Sequence, residues 1–242
     1  MNATVARLTA RSLLGRRRTL LLLALPAILL LLSGAVRILV GTDQALSVSL
    51  LGGFTLGTMV PLLGLIVGTG AIGPEIDDGS IIYLLSKPVS RFTVATTKFA
   101  VAVGILTAVA AVPTLIAGLI LAGTADGVAV GYAVGAAVAG AAYCGLFLLL
   151  AVLTRNAVVA GLLYALIWEA LIGGFVPGAQ ALSIQQWALA VTQRVMGGSA
   201  ESLGVASAVG VGTGTALVLA VAVGGTWYAG ARLRTLPLSS DE

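Results

Sequence analysis

The sequence has no histidine, a single cysteine and only 9% charged residues in 242 positions. Without histidine there is no Ser-His-Asp or Cys-His catalytic arrangement, no HExxH zinc motif and no His-rich metal site. The one cysteine, Cys144, lies in the apolar run GAAYCGLFLLL. It builds neither a disulfide framework nor a Cys-only metal site, and it reads as a small buried hydrophobe. Soluble domains carry about 25% charged residues, so a water-soluble domain on a membrane tether is excluded as well.

What is present is apolar: 59% of residues are hydrophobic and the mean hydropathy is +1.10. Such a chain reads as an all-α polytopic membrane protein forming a single transmembrane domain. A crossing helix needs about 20 mostly apolar residues. Six segments meet that length, at about 19–40, 47–73, 98–122, 128–152, 157–176 and 203–228. Their apolar residues are continuous, whereas barrel strands alternate. Short polar breaks, GTDQ at 41–44, TADG at 124–127 and LTRN at 153–156, make neighbouring helices antiparallel.

The formal charge of +4 is explained by where the bases lie, without recourse to nucleic acid. With the N-terminus in the cytoplasm, one side receives Arg7, Arg11, Arg16, Arg17, Arg18, Lys87, Arg91, Lys98, Arg155, Arg232 and Arg234; Arg37 and Arg194 fall on the other. The positive-inside rule then places both termini in the cytoplasm, in a plasma-membrane protein. Trp227 and Tyr228 mark the inner boundary. Residues 1–18, with Val5, Leu8 and Ser12 on one stripe and arginines on another, predict a basic amphipathic helix on the cytoplasmic surface. The tail, 229–242, is cytoplasmic too.

The one sizeable cytoplasmic loop, 74–97, is the most informative stretch. Pro74 opens a short helix with Glu75, Asp77 and Asp78 at its positive end. Gly79 permits a bend or a close approach. Ile81, Ile82, Leu84 and Leu85 are too apolar for a solvated loop and predict a docked partner. Pro88 ends that run, and Arg91 and Lys98 share a face leading into the third span.

Glu75-x-x-x-Gly79, then Leu84-Leu85-Ser86-Lys87-Pro88-Val89-Ser90-Arg91, then Lys98, resembles the corresponding loop of ABC-2-type transporter permeases. The resemblance extends to six spans, the basic N-terminal helix and a longer outer segment between spans five and six. It implies that the loop holds a coupling helix on an ATP-binding subunit, with Glu75, Asp78, Gly79, Lys87, Pro88, Arg91 and Lys98 as transmission contacts. It also implies an assembly of two ATPase copies with a second permease chain, identical or related, in membrane lipid. ATP and Mg then belong to the partner. A P-loop needs GxxxxGK[ST], and neither Lys87, after Ser86, nor Lys98, after Thr97, follows glycine.

In the outer segment, 177–202, Ile184, Trp187, Ala188, Val191 and Val195 recur at helical spacing. They predict a short helix at the outer interface anchored by Trp187. Within the spans Glu169 is the one deep carboxylate. Near mid-bilayer such a group costs about 2.5–3.5 kcal/mol, so it must face the bundle, paired with Arg37 or neutralised by desolvation. Glycines four apart, at 53/57, 64/68, 131/135 and 210/214, predict close helix packing, and Pro61 and Pro113 predict bends.

The reading that fits these features is a permease subunit of an ATP-driven exporter, moved by a separate ATPase and carrying a hydrophobic or amphipathic cargo. An ion-coupled secondary transporter and a non-transporting membrane scaffold are the alternatives. One carboxylate without a second intramembrane partner counts against the former.

Overall fold

The computed structural model describes residues 3–79, 90–172 and 178–233, and among these every regular element is helical. Helix α1 is Ala3–Leu13 and α2 is Arg16–Leu39. Helix α3 joins Gln44–Leu50, Leu51–Met59 and Val60–Gly70 end to end, and α4 is Gly73–Asp77. Arg91–Leu106, Thr107–Ala111 and Val112–Ala122 make α5; α6 is Val128–Leu153. Helix α7 joins Ala157–Leu163 and Tyr164–Ile172. Ile184–Met196 is α8, Gly198–Ser202 is α9 and Val211–Arg232 is α10.

Five helices, α2, α3, α5, α6 and α10, are long and apolar enough to cross a membrane. The fifth expected span, 157–176, is different: its described part, α7, is too short to be counted with them, and 173–177 lie outside the described residues. Two boundaries also move. Helix α5 starts at Arg91, two turns before the predicted 98, because Val94, Ala95 and Thr97 are buried. Helix α10 starts at Val211 instead of 203, after a non-helical stretch in which Gly204 has a φ of +69°.

In a bilayer, helices gain nothing by hiding apolar side chains from one another, so close backbone approach decides their packing. Helix α6 is the central strut, and glycines set its neighbours. A Cβ on Gly64 would lie 2.6 Å from Tyr143 Cβ, and one on Gly68 2.7 Å from Phe147 Cβ, so this pair seats α3 on α6. Gly131 meets Met196 and Gly135 meets Thr192, which seats α8 on α6. A further close approach was not singled out by any four-residue spacing: Gly145 of α6 faces Gly225 and Ala222 of α10, backbone against backbone. Gly53 and Gly210, by contrast, face open space.

Pro61 and Pro113 do alter their helices, through π-helical turns. Each lies just after a π segment, Leu51–Met59 and Thr107–Ala111. A proline has no N–H and its ring crowds the carbonyl four residues back, and a wider turn relieves both problems. The third π segment, Tyr164–Ile172, contains no proline; it carries Glu169.

The α6–α10 contact is testable at adjacent residues. Gly225→Ala places a methyl 2.7 Å from the Gly145 carbonyl oxygen, whereas one on Gly224 meets nothing within 4 Å. In thermal unfolding of the purified protein, Gly225→Ala should cost about 1–3 kcal/mol. Gly224→Ala should be neutral or stabilise by about 0.5–1 kcal/mol. Equal effects would mean that α6 and α10 are not in backbone contact.

Candidate functional site

Polar groups collect at two places. The first lies at the end of the bundle where α1, α4, the start of α5 and the end of α10 converge. Helix α1 buries Val5, Thr9 and Leu13, spaced four apart, and leaves Arg7, Arg11 and Leu8 outward. The buried stripe is thus displaced from the predicted Val5, Leu8 and Ser12 and faces α5.

Lys98 lies two turns into α5 and is fully buried. Its ammonium donates to the Ala71 carbonyl at 2.6 Å, to Glu75 Oε1 at 2.7 Å and to Thr9 Oγ1 at 3.5 Å. The Thr9 hydroxyl donates in turn to the Val5 carbonyl. An ammonium has three N–H groups, and here they reach α1, the end of α3 and α4. Glu75 comes within reach because Pro74 starts α4 immediately after the α3 turn, with Glu75 in its first turn. Asp78 caps the other end of α4, and Gly79 follows with a φ of +68°, a conformation suited to glycine. Lys87 and Pro88 lie outside the described residues.

Arg91 is not part of this cluster. It reaches across to α10, where Nη1 donates to the Leu233 carbonyl at 2.5 Å, and Phe92 stacks on Trp227 nearby. A cation on the carbonyls that end a helix is favourable, so Arg91 ties the first turn of α5 to the last of α10.

The second place is deep in the bundle, where α7 meets α8. Gly161 of α7 packs on Phe147 of α6; Glu169, eight residues on, is about 12 Å further along. From the other direction, Ala188 and Thr192 of α8 lie on Gly135. Both measures put Glu169 and Ile184 at the same height, near the middle of the 26-residue α6. There the carboxylate accepts from the Ile184 N–H at 2.9 Å, the Tyr164 hydroxyl at 2.9 Å and the Ser183 hydroxyl at 2.5 Å. Ser183 Oγ also accepts from the Gln186 N–H. Glu169 therefore caps the positive end of α8 from another helix, and three donors offset its burial at 1% exposure.

Arg37 is not its partner. The guanidinium lies in the last turn of α2 and donates to the Leu121 carbonyl of α5 at 3.5 Å. The reach from Arg37 to Glu169 imagined from the sequence is unnecessary, because the carboxylate's donors come from its own neighbourhood in the chain. Trp187 is also placed differently. It is 5% exposed, its Nε1–H donates to the Ala181 carbonyl, and α8 packs into the bundle against α6 and α10. It is a buried wedge instead of an interfacial anchor.

Sequence reasoning singled out Lys98, Glu75 and Glu169 but neither paired the first two nor found Thr9, Tyr164, Ser183 and the Ile184 N–H. A signal for α8 was available: Ser183 followed by Gln186 is a helix-start pattern. Thr9 stood out only by lying between Val5 and Leu13. Nothing in the sequence marks the Ala71 and Leu233 carbonyls.

A bundle of crossing helices in which, among the described residues, the buried charges are Lys98 and Glu169, each at a helix joint, defines a multi-pass membrane protein. A family model described as ABC-2 family transporter protein matches residues 16–193, and the chain belongs to this family: it is a membrane permease of an ABC transporter. The match runs from α2 almost to the end of α8 and so includes the Glu169 joint and the Lys98 joint apart from its α1 member, Thr9. No curated protein matches the chain.

Two substitution series follow. Lys98→Met removes the buried ammonium from the Glu75 carboxylate, and losing one member of such a pair costs about 3–5 kcal/mol. The Glu75→Gln, Lys98→Met double variant should recover part of that loss in thermal unfolding; strictly additive losses would dissolve the pair. At the second joint, Gln at 169 keeps an acceptor for the Ile184 N–H whereas Ala strands every donor, at about 1–3 kcal/mol for each unsatisfied group. Glu169→Ala should accordingly melt well below Glu169→Gln, and coincident melting points would show that the cap carries no weight.

Proposed function

We propose that this chain is the conduit and lever of an ATP-driven exporter, with ATP and Mg held by a separate ATPase subunit that docks on residues 74–97. In this reading two ATPase copies serve two permease chains, identical or related, and the termini and the 74–97 loop face the cytoplasm of a plasma-membrane protein. The observation that carries it is the Lys98 ammonium. It ties the first residues of the docking stretch to α1, α3 and α5 in one buried joint, so a push on that stretch moves three helices together. Asp78 is exposed beside the joint and contacts the ATPase; Lys87, Pro88 and Arg91 continue the contact.

The far end of the lever is the α7–α8 joint. Helix α7 climbs half the height of α6 and α8 climbs the other half, so the pair serves as the sixth crossing, made of two pieces that meet where Glu169 caps α8. A break of this kind is tolerated inside a membrane where protein groups satisfy the freed backbone. Swinging α7 against α8 there opens the path for a hydrophobic or amphipathic cargo. A discontinuous crossing is also a feature of ion-coupled carriers, and that rival is decided by the same experiment.

The test is reconstitution with the cognate ATPase in vesicles. Asp78→Arg should weaken ATPase binding at least about tenfold, equivalent to about 1.4 kcal/mol, without changing the melting point. The Glu75→Gln, Lys98→Met variant should keep the ATPase bound yet stop cargo export. Export by the chain alone on an ion gradient, or full ATPase binding by Asp78→Arg, would overturn the proposal.

A further inference from the structure

Arg18 and Arg155 line the same cavity. It has a volume of about 380 Å³ and opens between α2 and α7 at the end of the bundle that holds Lys98. Its back is α3, at Leu65, Thr69 and Gly70, and its flanks are Leu21 of α2 and Val158 of α7. Arg18 spends one N–H on the Gly70 carbonyl at 3.3 Å, out of five on the guanidinium. Among the described residues Arg155 makes no hydrogen bond or ion pair, and no Asp or Glu lines the cavity. Two guanidiniums thus share a recess without a counter-charge from the described part of the chain.

The walls say what kind of anion belongs there. Leu21 and Val158 are each 57% exposed and border the cavity on the side open to the surroundings of the bundle. In a membrane that side is acyl chain. A free anion has no use for such a wall, whereas a lipid with an anionic headgroup uses both parts. Planar guanidinium forks match phosphate oxygens, and basic recesses between membrane helices hold anionic lipid headgroups.

We propose that this cavity is a binding site for an inner-leaflet anionic phospholipid, its phosphate held between Arg18 and Arg155 and its chains lying along Leu21 and Val158. Gly73 and Pro74 of α4 also line it, so the bound headgroup touches the residues just before Glu75. The lipid fills the gap between α2 and α7 and braces α4 at Gly73 and Pro74. The site does not depend on the export reading, because its test measures binding alone.

The full-length protein in neutral detergent is mixed with equal amounts of phosphatidylglycerol and phosphatidylcholine, and retained lipid is counted by native mass spectrometry. Phosphatidylglycerol should be retained in preference. Arg155→Gln, which breaks no internal bond, should cut that retention about fivefold, in line with one basic group near an anionic surface. Arg18→Gln should do the same, and Arg155→Lys, which keeps the charge but not the fork, should fall between Arg155→Gln and the unchanged protein. Arg7→Gln with Arg11→Gln, on the outward face of α1, should leave retention unchanged, and excess inorganic phosphate should not displace the lipid. Equal retention of the two lipids, an equal loss from the α1 variant, or displacement by phosphate would each overturn the proposal. The last two would mark, respectively, general surface charge and a free-anion site.

Discussion

A lysine side chain that enters a membrane-spanning bundle must satisfy three N–H groups without water, and the geometry around Lys98 follows from that demand. The Ala71 carbonyl is available because α3 ends there. Glu75 is available because Pro74 starts a new helix at once, and Thr9 is available because α1 folds back over α5. Each partner is supplied by a different element, so none of the three elements can leave without uncovering a charge. Buried ionic groups are a poor source of net stability but a strict judge of arrangement. Here the arrangement being judged is the position of the N-terminal helix and of α4 relative to the crossing helices.

Elsewhere the bundle is held by contact in place of charge. Helix α6 meets α3, α8 and α10 through glycines, and at Gly145 and Gly225 the two backbones touch. These helices form the part least able to move, since any sliding drives carbonyl into carbonyl. Helices α2 and α7 lie outside this block, with the cavity lined by Arg18 and Arg155 between them. The π turns fall in α3, α5 and α7 and none in α6 or α10. Helix α3 combines the two: its glycines at 64 and 68 seat one half on α6, and its π turn lies in the other half.

Much of this was legible in advance. Apolar runs of about 20 residues announce crossing helices whatever their neighbours do, and the five long helices were all located. Pro74 with Glu75, and the basic clusters, identified the end of the bundle where α1, α4 and α5 meet. Boundaries were less legible, because Arg91 and the residues after it are polar enough to read as loop yet fold as the first turns of α5. The fifth segment, 157–176, misled for a related reason. Hydropathy averages over α7 and does not show that it meets α8 inside the bundle, and Glu169 gives no hint that its donors, Tyr164, Ser183 and Ile184, lie close to it in the chain. Trp187 was misread because an amphipathic helix on a membrane and one wedged among glycines share the same periodicity.

The order of synthesis separates the two buried charges. Thr9, Ala71 and Glu75 are all made before Lys98, so the cation enters the bilayer with its acceptors already emerged. Glu169 is made before Ser183 and Ile184 and at first has only Tyr164 to meet it. Until α8 emerges from the ribosome, the nascent chain holds a carboxylate short of two of its three donors. The stretch that completes this joint is therefore the step at which biogenesis is most exposed to failure, and a membrane quality-control protease would find its substrate in chains arrested there.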